Sequence, residues 1–292
     1  MTSYKSTLVF TDLDGALLGP DYSWGAVAKV LENMKAAGVP IILCSSKTRA
    51  EIEHYRKAMG IADPFISENG ACVFIPDGYF EFEFPFTREA GGYKLIELGR
   101  PYSEISAKIS ELRGAQGIGQ ITCFSDMTDE ELSKDSKLPL ELARLAKMRE
   151  YSESFKYSGD IGALTEASKN TGLSLAFGGR YWGASGGSDK GVATRALTAL
   201  FLKKYGSVKT IGLGDSANDV PMLMAVDSPV LMMKSNGTYE NADIPNLQKS
   251  QRTGPEGWGK KVLSMLLKDM VSGSARAAAA PSVNPASEPS GK

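Results

Sequence analysis

Residues 6–18, STLVFTDLDGALL, decide the fold. The β-branched and aromatic run from Thr7 to Thr11 breaks into Asp12-Leu13-Asp14-Gly15, the pattern of a buried strand ending in a tight loop. Two carboxylates one residue apart at such an exit lean over the carboxyl edge of the sheet, where open α/β sheets bind ligands. A simple turn would use the same residues, because Asp tolerates unusual backbone angles and Gly15 supplies positive φ. The rest of the chain decides between the two readings.

Outward from that loop, Trp24 to Ala37 has helical spacing, with Val27, Val30, Leu31 and Met34 on one face and Gly38 as the stop. Val39 to Leu43 is a second apolar run and ends in Cys44-Ser45-Ser46-Lys47-Thr48. Strand, helix and strand make a βαβ unit, which sets Ser45 beside the aspartate pair. The hydroxyls there either cap the helix beginning near Arg49 or meet an anion, and a helix amino end accommodates both. Asn69-Gly70 reads as a hairpin turn leading into Cys72 to Ile75, and Tyr79 to Phe86, with four phenylalanines alternating against Glu81 and Glu83, as a half-buried antiparallel strand.

From about Thr87 to Gly186 short strands alternate with polar helices at Tyr102 to Leu112, Leu140 to Met148 and Ile161 to Asn170, which reads as an inserted α+β module. Arg149, Glu150 and Arg180 are its candidates for ligand contact, against the default of surface solvation. The parallel pattern then resumes. Gly186 to Gly191 opens a helix running to Tyr205, with Ser188 as N-cap. Lys190 in its first turn opposes the helix dipole, so it is either an ordinary exposed lysine or one whose ammonium reaches an anion at the sheet edge.

Val208 to Leu213 is another strand, and its exit, Gly214-Asp215-Ser216-Ala217-Asn218-Asp219, repeats the opening motif. Asp215 and Asp219 therefore stand near Asp12 and Asp14, and carboxylates converging without histidine make a hard-cation site of the kind Mg²⁺ prefers. A last strand at Ser228 to Met233 precedes a helix after Gly254-Pro255-Glu256-Gly257 that packs Trp258, Val262, Leu263 and Leu266. The Ala-, Ser- and Pro-rich stretch 271–292 reads as a disordered tail outside the fold.

A chain of 292 residues, 42% hydrophobic, is long enough for two domains. Its net charge of -1 offers no general case for binding nucleic acid or an anionic membrane. Cys44, Cys72 and Cys123 are scattered, odd in number and without a paired motif, as in a reducing cytosol. The start lacks a signal-peptide pattern, so a soluble, cytoplasmic protein is expected, with its oligomeric state open. His54, the only histidine, excludes a multi-histidine zinc site and leaves acid–base work mainly to carboxylates and lysines.

Taken in order, Asp12-x-Asp14-Gly15, Ser45, Lys190 and Gly214-Asp215-x-x-Asn218-Asp219 resemble the haloacid dehalogenase superfamily of phosphotransferases. SSKTRAEI, SENGA, REYSESF, GGRYW, GGSDKG and GPEGW narrow the resemblance to the mannosyl-3-phosphoglycerate phosphatase family within it. The resemblance implies an α/β fold, a Rossmann-like parallel-sheet core domain (1–86 and 187–270) with an inserted α+β cap of C2B type (87–186). It also implies a Mg²⁺-dependent phosphatase for a small sugar phosphate, with Asp12 as nucleophile, Asp14 as acid and base, and Ser45 and Lys190 on the transferring oxygens. The metal would be held by Asp12, Asp215, the main chain of Asp14 and, with Asn218 orienting groups beside it, Asp219. Lys47, Thr48, Glu150 and Arg180 are the expected contacts to sugar and carboxylate, Arg180 for the carboxylate. One departure is Ala16, where the superfamily's loop carries threonine; the missing hydrogen bond, worth about 1 kcal/mol, predicts looser positioning of Asp14. A glucosyl-3-phosphoglycerate or other sugar-phosphate phosphatase of the same superfamily, a phosphosugar mutase and an inactive phospholigand-binding module are the alternatives.

Overall fold

The computed structural model describes residues 7–178 and 180–278. The chain opens with β1 (Thr7–Thr11), α1 (Ala28–Ala36), β2 (Ile41–Leu43), α2 (Arg49–Met59), β3 (Phe65–Ser67) and β4 (Cys72–Pro76). It continues through β5 (Arg88–Ala90), β6 (Tyr93–Glu97), α3 (Tyr102–Arg113), β7 (Gln120–Cys123), α4 (Asp129–Ser136) and α5 (Leu140–Ala146). Then come β8 (Glu153–Ser158), α6 (Ile161–Thr171), β9 (Ser174–Phe177), β10 (Trp182–Ser185) and α7 (Lys190–Tyr205). It ends with β11 (Lys209–Gly214), α8 (Val220–Met224), β12 (Ser228–Met233), β13 (Gln248–Thr253) and α9 (Gly254–Ala278).

The core is a parallel five-stranded sheet in the order β13-β12-β11-β1-β2. With β2 on one side of β1 and β11 on the other, the strand order reverses beside β1, and a crevice at the strands' carboxyl ends is where such sheets bind ligands. Successive side chains of β1 face opposite layers. Val9 packs with Leu31 and Met34 of α1 and Trp258 and Val262 of α9; Leu8 and Phe10 pack with Leu197 and Phe201 of α7.

Two antiparallel sheets complete the molecule. The first, β3-β4-β6-β5, corrects an expectation about the insert. Its strands at Arg88–Ala90 and Tyr93–Glu97 lie beyond the boundary read at residue 87, yet pair with each other and, through β6, with β4, so this stretch extends the Phe65–Pro76 hairpin. The insert's own sheet, β7-β8-β10-β9, has Ile105 and Ile109 of α3 and Leu164 of α6 packed with Phe155 and Ala184.

Three further expectations are revised. Tyr79 to Phe86 keeps its alternation of burial, with Phe80 and Phe84 buried, but forms no strand: the rings pack on one another and on Phe201, and Pro85 cannot donate to a ladder. In α9 Leu263 is exposed, and Met265 fills the core in its place. That helix also runs to Ala278, into the segment read as a tail, whose remainder (279–292) lies outside the described residues. Among the described residues no helix is long and apolar enough to cross a membrane.

Trp258 joins α9 to the head of the central strand. Fully buried, it donates from Nε1 to Thr11 Oγ1 at 2.8 Å, and that hydroxyl donates to the carbonyl of Asp12 at 2.8 Å. Trp258→Ala is expected to lower the unfolding free energy by about 3–5 kcal/mol, read from the urea midpoint; a loss under about 1 kcal/mol would contradict this role.

Candidate active site

Asp12 leaves β1 with its amide donating to the Leu213 carbonyl at 2.9 Å, so β1 and β11 hold the two acidic exits side by side. Gly15, at φ +73°, lets the first loop close onto the second: a Cβ there would stand 2.4 Å from Asp215 Oδ2. Carboxylate oxygens of Asp12, Asp215 and Asp219 lie within 4.8 Å of one another.

Lys190 enters this cluster from the first turn of α7. Completely buried, its ammonium donates to Asp12 Oδ1 at 2.9 Å and to Asp219 Oδ1 at 2.6 Å. Of the two readings of Lys190 the exposed one is thereby excluded. Asp189, not Ser188, caps the helix by accepting from the Val192 amide; the Ser188 hydroxyl donates to the Gly70 carbonyl. Asp219 Oδ2 is occupied by the amides of Asp215 and Ser216 at 2.9 and 3.0 Å. Both oxygens of Asp219 thus have partners, which makes it the group that braces Lys190 and the second loop. Asp215 has one oxygen on the Ser216 hydroxyl at 2.7 Å and the other facing Gly15.

The electrostatics follow from burial. Desolvation first, then repulsion from Asp219, raises the Asp12 carboxyl to about 7 against the pull of Lys190. Desolvation and the Asp12 charge raise Asp215 to about 6, and burial raises Asp219 as well. Burial opposes the Lys190 ammonium, but Asp12 and Asp219 more than offset it and raise its pKa. With all three carboxyls ionised, one ammonium leaves two unbalanced negative charges, and oxygen donors so arranged suit a hard divalent ion.

Asp14 points to the other side of the loop. Its Oδ2 is 2.9 Å from the buried ammonium of Lys47, which also lies 3.5 Å from Glu51 and over the rings of Tyr22 and Tyr55. Lys47 thus meets a neighbouring carboxylate and also lines the cavity between the core loops and the insert. Burial works against its charge, but Asp14 and Glu51 raise its pKa. Lys47 gives Asp14 a charged partner on that side of the loop, and Ala16 itself is fully buried. The remaining oxygen of Asp14 is enclosed without a hydrogen-bond partner.

The other expected contacts divide. Ser45 is buried at the exit of β2, its hydroxyl accepting from the Lys47 amide at 3.3 Å. Thr48 is used otherwise: its hydroxyl caps α2, accepting from the Glu51 amide and donating to the Leu145 carbonyl. Glu150 is taken by Arg49 at 2.7 Å and Arg88 at 3.7 Å and does not line the cavity. Arg180 and Asn218 do line it. Arg180 donates to the Ser136 carbonyl at 3.1 Å and lies over the Tyr181 ring; Asn218 donates to Asn69 at 2.9 Å and keeps an unpartnered buried oxygen.

That cavity, about 380 Å³, lies between the core loops and the insert. Asp14, Gly15, Lys47 and Asn218 meet it from the core, and Arg149, Arg180, Phe177, Tyr181 and Trp182 from the insert. The aromatic residues were not legible as ligand contacts, because an aromatic in a short strand reads equally as core. Asn69 had a signal that pointed elsewhere, a hairpin turn, whereas Arg149, a candidate for ligand contact, does line the cavity.

An acidic pair on a central strand, a buried lysine between two carboxylates and an inserted unit facing the strand ends define a phosphotransferase site of the haloacid dehalogenase type. The family model for haloacid dehalogenase-like hydrolases matches residues 9–92. A Methanococcoides burtonii protein named glucosyl-3-phosphoglycerate/mannosyl-3-phosphoglycerate phosphatase is 41% identical over 267 residues, spanning 90% of this chain and 98% of its own. A Pyrococcus horikoshii mannosyl-3-phosphoglycerate phosphatase is 38% identical, over 77% of this chain and 90% of its own. The chain belongs to the haloacid dehalogenase-like hydrolases, among their phosphatases. Solved structures agree in fold: a Thermoplasma acidophilum protein superposes with TM-score 0.63 at 18% identity, covering 89% of this chain and 98% of its own. The Synechocystis sucrose-phosphatase superposes with TM-score 0.56 at 14% identity, covering 89% and 97%.

The raised carboxyls carry a sign that can be checked. Asp12 at about 7 and Asp215 at about 6 hold protons more tightly folded than unfolded, where they titrate near 3.8. Their ionisation therefore costs folding free energy, and stability is lost as pH rises from the unfolded value through 6 and 7. In chelator, the urea midpoint should fall between about pH 4 and about pH 7, and Asp12→Asn should flatten that fall; an unchanged slope would contradict the assignment.

Proposed function

We propose that this phosphatase hydrolyses mannosyl-3-phosphoglycerate to mannosylglycerate and inorganic phosphate, with the glucosyl ester as the alternative substrate. The observation that carries the reading is the cavity: Asp14, Lys47 and Asn218 meet it from the core, and Arg149 and Arg180 with the rings of Phe124, Phe177, Tyr181 and Trp182 from the insert. A phosphate at the strand ends, a carboxylate on Arg180 and a sugar ring against Trp182, Tyr181 and Phe177 would use all of it. A relative named for both esters over 90% of this chain and one named for the mannosyl ester over 77% support this reading.

The reaction divides between the two faces of the first loop. With its Oδ1 held by Lys190, Asp12 attacks phosphorus through the other oxygen, and the bond from phosphorus to the ester oxygen breaks as an aspartyl-phosphate forms. Asp14, held beside Lys47 and entering this step in its protonated form, gives that proton to the departing glycerate oxygen. In the second half Asp14 takes a proton from water, whose oxygen attacks phosphorus and releases phosphate from Asp12. Ser45 and Lys190 bear on the phosphoryl oxygens, and Asn218 and Asp219 hold the second loop in place. Asp12, Asp215 and, by the family resemblance, the main chain of Asp14 would hold Mg²⁺, which when bound would neutralise phosphate charge near the nucleophile; Asp219, with both oxygens committed, would act beside them. The soluble, cytoplasmic setting expected from the sequence accords with a metabolic enzyme of this kind.

A phosphate-release panel decides the substrate. Mannosyl-3-phosphoglycerate should exceed simple hexose phosphates by at least about tenfold in kcat/KM, a difference of about 1.4 kcal/mol, and chelator should abolish turnover until Mg²⁺ is restored. Free phosphate absent but isomerised sugar phosphate present would indicate a mutase. Asp12→Asn should lower kcat by at least about a thousandfold; activity within about tenfold of wild type would refute the nucleophile.

Arg180→Ala should raise KM for the phosphoglycerate ester about tenfold or more and leave KM for a hexose phosphate without a carboxylate nearly unchanged. Undiminished preference for the carboxylate-bearing substrate would remove Arg180 from that role.

A further inference from the structure

Residues Glu68-Asn69-Gly70, the turn between β3 and β4, have three successive left-handed conformations, with φ of +46°, +60° and +93°. Glycine and asparagine suit such a turn; glutamate does not, and a non-glycine residue is kept there at a cost of order 1–3 kcal/mol. Glu68 is also completely buried, and its carboxylate has no counterpart within the turn. Its partners come from the insert: Oε1 accepts from the Glu150 amide at 2.8 Å, and Oε2 from the Tyr151 amide at 3.1 Å and the Ser152 hydroxyl at 2.5 Å.

We propose that Glu68 is a positioning residue for substrate binding, anchoring the 149–152 segment of the insert to the catalytic loops so that Arg149 is fixed as a wall of the cavity. Arg149 Nε stands 3.8 Å from the Glu68 carboxylate, while Nη2 donates to the Ser46 carbonyl at 2.8 Å and to Ser152 at 2.9 Å. On the core side the same turn is tied to the loops that carry the chemistry. The Glu68 amide donates to the Lys47 carbonyl, the Asn69 amide to the Ser45 carbonyl, and Asn218 to the Asn69 side chain. A Cβ on Gly70 would stand 2.1 Å from the carbonyl of Asp189, next to Lys190. One three-residue turn therefore touches the Ser45 loop, the Asn218 loop and the head of α7, and its single carboxylate reaches the insert.

Glu68→Gly separates this role from that of a turn. Glycine favours the left-handed backbone and has no carboxylate, so a role confined to the turn predicts an enzyme at least as stable and active as wild type. Anchoring predicts instead that deuterium exchange at the Glu150 and Tyr151 amides speeds up about tenfold or more. It also predicts that KM for the sugar phosphate best hydrolysed by the wild-type enzyme rises about tenfold, with kcat changed less than about threefold. Glu68→Gln, which retains an acceptor oxygen for one of the two amides, should fall between wild type and Glu68→Gly in exchange rate. Unchanged exchange at both amides overturns the proposal, as does a fall in kcat with KM unchanged, or Glu68→Gln exchanging faster than Glu68→Gly. If Glu68→Gly does not fold, the exchange of Glu68→Gln against wild type decides alone: faster supports the anchor and equal overturns it.

Discussion

The interaction on which this molecule depends is a completely buried ammonium, Lys190, between Asp12 and Asp219. Breaking such a pair from one side costs about 3–5 kcal/mol, because the partner charge remains buried. Keeping it demands close backbone approach. A Cβ on Gly191 would stand 2.4 Å from the Pro221 carbonyl, and one on Gly214 2.4 Å from the Cβ of Asp219. Gly191 of GGSDKG and Gly214 of GLGDSAND thus have a steric reason: they let α7, α8 and the Asp219 loop come close around one ammonium.

That convergence divides the site into two electrostatic compartments on one loop. Below Gly15, three carboxylates share one lysine and are left with excess negative charge. Above it, Asp14 has its own lysine in Lys47, walled by Tyr22 and Tyr55. The proposed nucleophile and the proposed proton carrier, two residues apart, are in this way given different counter-charges, as different tasks require. The insert adds what the core lacks, an aromatic and arginine-bearing wall, and the Glu68 turn sets that wall against the catalytic loops.

The core was legible because its signals are local and periodic. Thr7–Thr11, Ile41–Leu43, Lys209–Gly214 and Ser228–Met233 are apolar runs ending in polar exits, and each is a strand of the sheet. β13, QKSQRT, was not legible, because an edge strand needs only one buried side chain, Ser250. Tyr79–Phe86 misled in the opposite direction: alternation reports which side chains are buried, not whether the backbone finds a partner strand. At the site, Asp12, Asp14, Asp215, Asp219 and Lys190 could be named from their order along the chain. The partners of Lys47, Thr48 and Glu150 could not, since each is set by contacts such as Lys47 to Asp14 or Thr48 to Leu145 that no spacing encodes. Glu68 was hidden for a related reason, its four donors and neighbours lying more than eighty residues away.

The central claim is that three carboxylates and one ammonium are balanced by a divalent ion. Calorimetric titration of Mg²⁺ into chelator-treated enzyme, without substrate, tests it most directly. One ion per chain is predicted for wild type, with affinity falling by at least about tenfold in Asp215→Asn. No binding to wild type, or equal binding to both proteins, would contradict the account.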